Sequence, residues 1–171
     1  YNIIYADPPW HYNTWRDGQG TAEKHCKTMK VEEIVNMKDT IKNISEKDCI
    51  LFLWVTFPCL LDGLKVMKEW GFKYKTCGFN WVKRNKVSDT WFFGLGHWTR
   101  ANSELCLIGT KGTIKRKSNK VSQIIDTHIE EHSKKPAIVR DKIVELVGDM
   151  PRIELFARQT VDGWDCWGNE V

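Results

Sequence analysis

The chain has 171 residues, enough for one domain with a substantial core, and we expect a single domain over residues 1–171. Its 26 lysines and arginines slightly outnumber its 22 aspartates and glutamates, a balance that permits nucleic-acid binding without requiring it. No apolar run approaches the ~20 residues that span a bilayer, and no signal-peptide pattern opens the sequence, so we expect no membrane segment.

Strand-like and helix-like runs alternate along the chain. The first strand-like run begins at residue 1, which indicates either a minimal domain or a trimmed chain. The run at 50–55 is continuously apolar, as is typical of a strand covered on both faces. The alternation predicts an α/β fold, with a mostly parallel sheet flanked by helices. The predicted strands are 1–6, 49–55, 76–82, 104–110, 123–126 and 152–157, and the predicted helices are 31–43, 58–70 and 136–147.

Three potential site segments each follow a predicted strand. They are Asp7, the turn at 56–57 and Arg158. In parallel α/β sheets ligands bind at the carboxyl ends of the strands. We therefore expect these three segments to share one edge of the sheet.

The tetrapeptide Asp7-Pro8-Pro9-Trp10 is the most informative motif. The prolines have no backbone N–H and fixed φ angles, so they stop the strand and leave stiff carbonyl acceptors beside an acid and an indole. Such a corner suits a planar group that carries an amine, and the exocyclic amine of adenine is the obvious candidate. Trp10 would then stack on the base. The alternative is an ordinary Pro-Pro turn with Trp10 in the core.

The segment YADPPW resembles the catalytic signature of the MT-A70 family of S-adenosylmethionine-dependent N(6)-adenine methyltransferases. This family includes the eukaryotic mRNA adenosine methyltransferase and bacterial and phage DNA enzymes. The resemblance implies a Rossmann-like methyltransferase fold that is circularly permuted, with the catalytic motif before the cofactor strand. It continues in HCKTMKVEEI (25–34), ILFLWVT (50–56), KEWGFKY (68–74), NWVKRN (80–85), GLGHWTRANSELCLIGTKG (94–112), EEHSKKPAIV (130–139) and IELFARQTVDGWDCWGNEV (153–171).

The resemblance also implies a site for S-adenosylmethionine. Lys135 matches a lysine that binds the methionine carboxylate, and Asn169 matches an asparagine that bonds the ribose hydroxyls, with Glu170 beside it. The remaining cofactor residues are then Asp7, shared with catalysis, and Arg158, Gln159 and Thr160, near the ribose. Taken alone, Lys135 and Arg158 could be surface charges and Asn169 a turn residue.

Two departures from the family pattern affect these assignments. Cys26 stands where the family often has a tyrosine, which puts any role of that tyrosine in holding the base in doubt. The turn at 158–162 is shorter than in the eukaryotic members, which leaves the ribose contacts open.

Cations interleaved with aromatic residues and glycines follow the third predicted strand. Such a segment suits contact with phosphates and unpaired bases. A second basic stretch, at 111–120, contains no acid and is either another contact or a solvated loop. The expected nucleic-acid contacts are Lys83, Arg84, Lys86, His97, Trp98 and Arg100.

The histidines and cysteines give weaker signals. His128 and His132 are spaced i, i+4, as in helical zinc sites, but no obvious third ligand follows, so we expect no metal. None of the six cysteines forms a C-x-x-C pair. We expect reduced, mostly buried thiols and a cytoplasmic protein.

The combined expectation is an enzyme that methylates the N(6) amine of adenine in nucleic acid. The compact chain favours DNA, with RNA as the alternative. A non-catalytic nucleic-acid-binding subunit, or an enzyme that methylates the amine of cytosine, would also fit these residues. A homodimer or an accessory subunit would enlarge a small binding surface.

Overall fold

The computed structural model describes residues 1–11, 28–131 and 133–171, whose strands all belong to one sheet. The strands lie in the order β5-β3-β4-β2-β1-β6-β7. Their bounds are Ile3–Ala6 (β1), Cys49–Val55 (β2), Lys73–Arg84 (β3), Ser103–Lys111 (β4), Ile124–His128 (β5), Arg152–Leu155 (β6) and Asp165–Trp167 (β7). The α-helices are Val31–Val35 (α1), Lys38–Ile44 (α2), Leu60–Glu69 (α3) and Ile138–Val147 (α4).

The sheet is mixed but mostly parallel. β1 pairs in parallel with β2 on one side and β6 on the other, and β6 with β7 and β3 with β5 are also parallel. β4 runs antiparallel to both of its neighbours, β2 and β3. The predicted α/β class with a mostly parallel sheet is confirmed, whereas the circular permutation and the single-domain boundary stay predictions.

Alternate residues of the central strands pack into two hydrophobic cores, one on each face of the sheet. Ile4 and Ala6 of β1 pack with residues of α1, α2 and α3, while Ile3 and Tyr5 pack with residues of α4. This alternation follows from the two-residue period of a strand. Among the described residues, no helix is both long and apolar enough to cross a bilayer.

Apart from shifted element ends, such as those of β3, which spans Lys73–Arg84 rather than 76–82, the structure differs from the sequence prediction in three places. The predicted helix at 31–43 is two short helices separated by Asn36 and Met37. The predicted helix at 58–70 begins instead with a 3-10 turn, Phe57–Cys59. The short edge strand β7 was not predicted, because its three residues carry no clear period.

Leu51 tests the central packing. Its side chain is fully buried in β2, so Leu51→Ala should leave a cavity and lower the free energy of unfolding by about 2–5 kcal/mol. Leu61 on α3 is 79% exposed, and Leu61→Ala should change the free energy of unfolding by less than about 0.5 kcal/mol. Urea unfolding at equilibrium measures both, and similar losses in the two variants would contradict the assigned core.

Candidate active site

Asp7 lies at the edge of the sheet where β1, β2 and β6 end together. Ala6 is in register with Leu53 of β2 and Leu155 of β6, and the Asp7 N–H donates to the Leu155 carbonyl at 3.4 Å. The three segments that follow these strands therefore share one edge, as the sequence predicted. The carboxyl ends of parallel strands are the usual ligand-binding position in such sheets.

A cavity of about 310 Å³ opens beside Asp7, whose side chain is 22% exposed. Four acidic and four basic side chains line its wall, a composition that suits a zwitterionic ligand with hydroxyl groups. Four predicted cofactor residues besides Asp7 line it, and Thr160 and Asn169 are exposed next to lining residues in the chain. The lining residues are Tyr5, Asp7, Glu131, Lys134, Lys135, Arg140, Glu154, Phe156, Arg158, Gln159 and Glu170.

The two prolines form a tight turn, and the carbonyl of each already accepts one backbone hydrogen bond. The Pro8 carbonyl accepts the Trp10 N–H at 2.9 Å, and the Pro9 carbonyl accepts the Met29 N–H at 2.8 Å. Each carbonyl oxygen keeps one further lone pair for a ligand.

Trp10 is packed in the core and only 6% exposed. Its indole N–H donates to the Trp54 carbonyl at 2.8 Å, and the Trp54 indole N–H donates to the Tyr5 hydroxyl at 2.7 Å. This is the core position expected if the motif is an ordinary Pro-Pro turn. Stacking of Trp10 on a base stays a prediction.

Lys135 joins two carboxylates from different strands. Its ammonium donates to Asp7 Oδ2 at 2.9 Å, lies 3.3 Å from Glu104 Oε2, and also donates to the Ser133 carbonyl at 3.3 Å. Burial alone would lower the pKa of Lys135, but Asp7 and Glu104 outweigh it and hold the pKa above its usual value. Burial raises the pKa of Asp7, an effect that the Lys135 ammonium partly offsets. Lys135 is therefore a fixed cation at the site rather than a surface charge.

Glu104, at the start of β4, extends this row of charges. Its other oxygen, Oε1, pairs with the ammonium of Lys83. Burial alone would raise the pKa of Glu104, but Lys135 and Lys83 hold it below its usual value. Glu104 is not among the residues predicted for the site; the signal available was a lone acid in the otherwise apolar run 104–109.

A second ion pair lies on the wall of the cavity. Glu154 of β6 is 6% exposed and accepts two hydrogen bonds from the Arg140 guanidinium, at 2.6 and 2.8 Å. Burial alone would lower the pKa of Arg140, but Glu154 outweighs this effect and holds the pKa above its usual value. Neither residue was predicted, because only the contact between α4 and β6 makes them a pair.

A strained turn brings the carboxy-terminal segment to the cavity. Phe156 directly follows β6 with φ of 61°, an uncommon conformation for a bulky residue. Gly168 approaches so closely that a Cβ atom there would lie 2.2 Å from the Ala157 carbonyl oxygen. Glu170 can therefore reach back to pair with Arg158, 3.0 Å away.

The predicted nucleic-acid loop is on the same edge of the sheet as Asp7. It joins β3 to β4; Phe92 is partly buried, whereas the exposed fraction of its other tryptophans and phenylalanine ranges from 43% at Trp91 to 92% at Trp98. His97 packs edge-on against Trp98, with ring centroids 5.5 Å apart. Lys86 and Arg100 are exposed, whereas Lys83 is paired with Glu104 and Arg84 is bound to Asp126 at 2.6 and 2.7 Å.

Other predicted features lie away from the cavity. The basic stretch 111–120 follows the carboxyl end of the antiparallel strand β4, so it is at the opposite edge from Asp7.

His128 contacts the Asn85 carbonyl at 2.6 Å and Asp89 at 3.2 Å. The described residues contain no group of three metal-binding side chains, and Cys26 and His132 lie outside them. The five described cysteines are free, and three of them are buried.

Comparison with known proteins gives the family. The sequence model of the MT-A70 family matches residues 1–170. The chain belongs to the MT-A70 family.

The curated relatives of this chain differ greatly in length. The chain is 33% identical over 190 residues to the Type II methyltransferase M.MunI of Mycoplasma sp., covering the whole chain and 78% of that relative. It is 27% identical over 174 residues to an N(6)-adenosine-methyltransferase MT-A70-like protein of Arabidopsis thaliana, of which it spans 24%. It is also 32% identical over 135 residues to the Arabidopsis N6-adenosine-methyltransferase non-catalytic subunit MTB, of which it spans 16%.

Lys135→Met should destabilise this member of the family by about 3–5 kcal/mol near neutral pH, because Asp7 and Glu104 lose their shared cation. Their pKa values would rise in the folded state only, so the folded protein would bind more protons than the unfolded chain. The free energy of unfolding should then fall as the pH rises above about 4.

The wild-type protein should show a smaller fall, because the raised pKa of Asp7 contributes to it while the lowered pKa of Glu104, which is more stabilising when ionised, opposes it. Lys134→Met removes a neighbouring, partly exposed lysine and should cost far less, because a solvated ion pair contributes little to stability. Urea unfolding at several pH values measures the difference, and a loss independent of pH would contradict the assigned ion pairs.

Proposed function

We propose that this protein transfers the methyl group of S-adenosylmethionine to the exocyclic N(6) amine of adenine in nucleic acid, with DNA favoured over RNA. The observation that carries the proposal is the position of Asp7. Its carboxylate lies at the carboxyl end of the central strand β1, lines a cavity of about 310 Å³ and is held there by Lys135. Membership of the MT-A70 family supports the same chemistry.

The cofactor supplies an electrophilic methyl group on a sulfonium sulfur. Asp7 and the second lone pair of the Pro8 carbonyl would accept hydrogens from the adenine amine, so that the nitrogen lone pair would point at the methyl group. The new N–C bond would form as the C–S bond breaks, the demethylated thioether would leave, and the amine would release one proton to solvent. Much of the rate would come from this alignment rather than from strong base catalysis.

The wall of the cavity provides a place for each end of the cofactor. Lys135 would bind its carboxylate, while Arg158, Gln159, Thr160, Asn169 and Glu170 would face its ribose. All three Lys135 donors have partners in this structure, so binding the carboxylate requires Lys135 to share or exchange one of them. The close approach of Gly168 to Ala157, just before Asn169 and Glu170, supports these two assignments.

The nucleic-acid partner would lie along the loop between β3 and β4. Lys86, Arg100 and the exposed Trp98 suit contacts with phosphates and a base, and the target adenine must leave a duplex stack or be single-stranded. The Type II methyltransferase of Mycoplasma sp., of which the chain covers 78%, supports DNA. A location in the cytoplasm would keep the free thiols reduced.

Matched DNA and RNA oligonucleotides with labelled cofactor test the substrate. Mass spectrometry of the product nucleosides should find N(6)-methyladenine from DNA at a higher rate than from RNA. Faster transfer to RNA would reverse that preference, and methylcytosine as the product would replace the proposed base.

A non-catalytic binding subunit is the second candidate function. Its support is the 32% identity to the non-catalytic subunit MTB. Titration with S-adenosylmethionine separates the two candidates, because a pure binding subunit would show no saturable cofactor binding. Non-catalytic members of the family typically lack the Asp and Trp of the signature, so the presence of both Asp7 and Trp10 favours the enzyme.

Asp7→Asn tests the catalytic residue without leaving a cavity. The amide lacks the charge and presents a donor where an acceptor is needed, so transfer should fall at least about 100-fold. Cofactor affinity should stay within about tenfold, since at most one hydrogen bond is changed. Asp39→Asn, on the exposed start of α2, is the matched control. Normal transfer by the Asp7 variant would remove the basis of the proposed function.

Asn169→Ala tests the proposed ribose contact. Loss of one neutral hydrogen bond should raise the dissociation constant for S-adenosylmethionine about 3- to 10-fold. Asn119→Ala removes another exposed asparagine, in the basic stretch at the opposite edge, and should leave the constant unchanged. Calorimetric titration gives both constants, and equal values in the two variants would exclude Asn169 from the site.

A further inference from the structure

Lys83 lies where the substrate loop meets the sheet. It is the penultimate residue of β3, its N–H donates to the Asn102 carbonyl at 2.9 Å, and its own carbonyl accepts the Phe92 N–H at 2.9 Å. Its backbone therefore ties both ends of the segment 85–102 together. This is a structural position rather than the free tip of a phosphate-binding loop.

The side chain of Lys83 points away from solvent. It is only 16% exposed, and its ammonium lies 4.8 Å from the ring centroid of Trp81 and 5.9 Å from that of Phe92. Two aromatic faces and the carboxylate of Glu104 therefore surround the charge. Little of the ammonium is left for a phosphate.

Four charges alternate from the base of the loop to the centre of the site. Lys83 pairs with Glu104, Glu104 with Lys135, and Lys135 with Asp7. Their side chains are all between 10% and 22% exposed, so solvent screens them weakly. Without the first cation, two buried carboxylates would compete for the single ammonium of Lys135.

We propose that Lys83 is a positioning residue for methyl transfer: it fixes Glu104, through which Lys135 and finally Asp7 are held in place. The inference rests on the proposed function and adds a residue whose contribution that function does not require. It also reassigns Lys83, which the sequence suggested as a nucleic-acid contact.

The two roles predict different consequences of losing the charge. A phosphate contact mainly contributes to affinity. Its removal reduces the slope of log K for nucleic-acid binding against log salt concentration by about 0.9. A positioning residue leaves that slope unchanged and lowers kcat instead. Loss of Lys83 also removes one of the two cations that keep Glu104 ionised despite its burial.

The main experiment compares Lys83→Met and Lys83→Arg as full chains. For Lys83→Met, the acid limb of the pH dependence of kcat should move up by about one to three pH units, because Glu104 becomes protonated more easily. Activity should return at higher pH, and Lys83→Arg, which keeps the charge, should restore the acid limb. The salt dependence of binding should match the wild-type protein in both.

Two other lysines calibrate the measurements. Lys75→Met, at the exposed far end of β3, should change neither the pH profile nor the salt dependence. Lys86→Met should lower the salt slope, since this exposed lysine is a proposed phosphate contact. If Lys83→Met behaves like Lys86→Met, with a reduced slope and an unshifted pH profile, the positioning role is wrong.

A double-mutant comparison tests the route through Glu104. Once Glu104→Gln has removed the carboxylate, adding Lys83→Met should lower kcat no further. Independent, multiplicative losses would contradict the proposed row of contacts. Lys83→Gln serves as a second neutral variant if thermal unfolding shows that Lys83→Met is not folded.

The outcomes separate this inference from the proposed function. Absence of methyl transfer by the wild-type protein would overturn the function itself. An active wild type whose Lys83 variants keep the wild-type kcat and pH profile would overturn only the positioning role.

Discussion

Lys135 holds together two carboxylates that would otherwise repel each other in a largely buried site. Asp7 comes from the end of β1, Glu104 from the start of β4, and Lys135 from the segment before α4. Removing two or more charges from water is costly unless they are paired with good geometry. The pairing therefore constrains how these three parts of the chain can pack, and it leaves Asp7 facing the cavity.

The antiparallel strand β4 makes this constraint possible. Because β4 runs against β2, its first residues lie at the edge where β1, β2 and β6 end. A parallel strand in the same place would put Glu104 at the opposite edge, with the basic stretch 111–120 beside Asp7 instead. The direction of one strand thus decides which charges belong to the site.

Aromatic residues give the row of charges a stiff support. Trp54 lies 5.6 Å under the Lys135 ammonium, and it is hydrogen-bonded to both Trp10 and Tyr5. Buried indole and phenol groups with satisfied polar atoms have little freedom to move. Trp10 of the signature motif is consequently one of the buried residues that support the site in this structure. The loop residues Trp91 and Trp98 have the more exposed rings.

The α/β class, the edge of the sheet that carries Asp7 and Arg158, and the family could all be predicted from the amino-acid sequence. Those features follow from hydrophobic runs, strand ends and short motifs, which are local in the chain. The positions of Glu104, Glu154 and Arg140 at the site could not be predicted in this way. The same holds for the ion pairs that Lys83 and Arg84 already make. Ion pairs between residues as distant as 7 and 135 depend on strand order and direction, which a pattern of apolar residues does not encode.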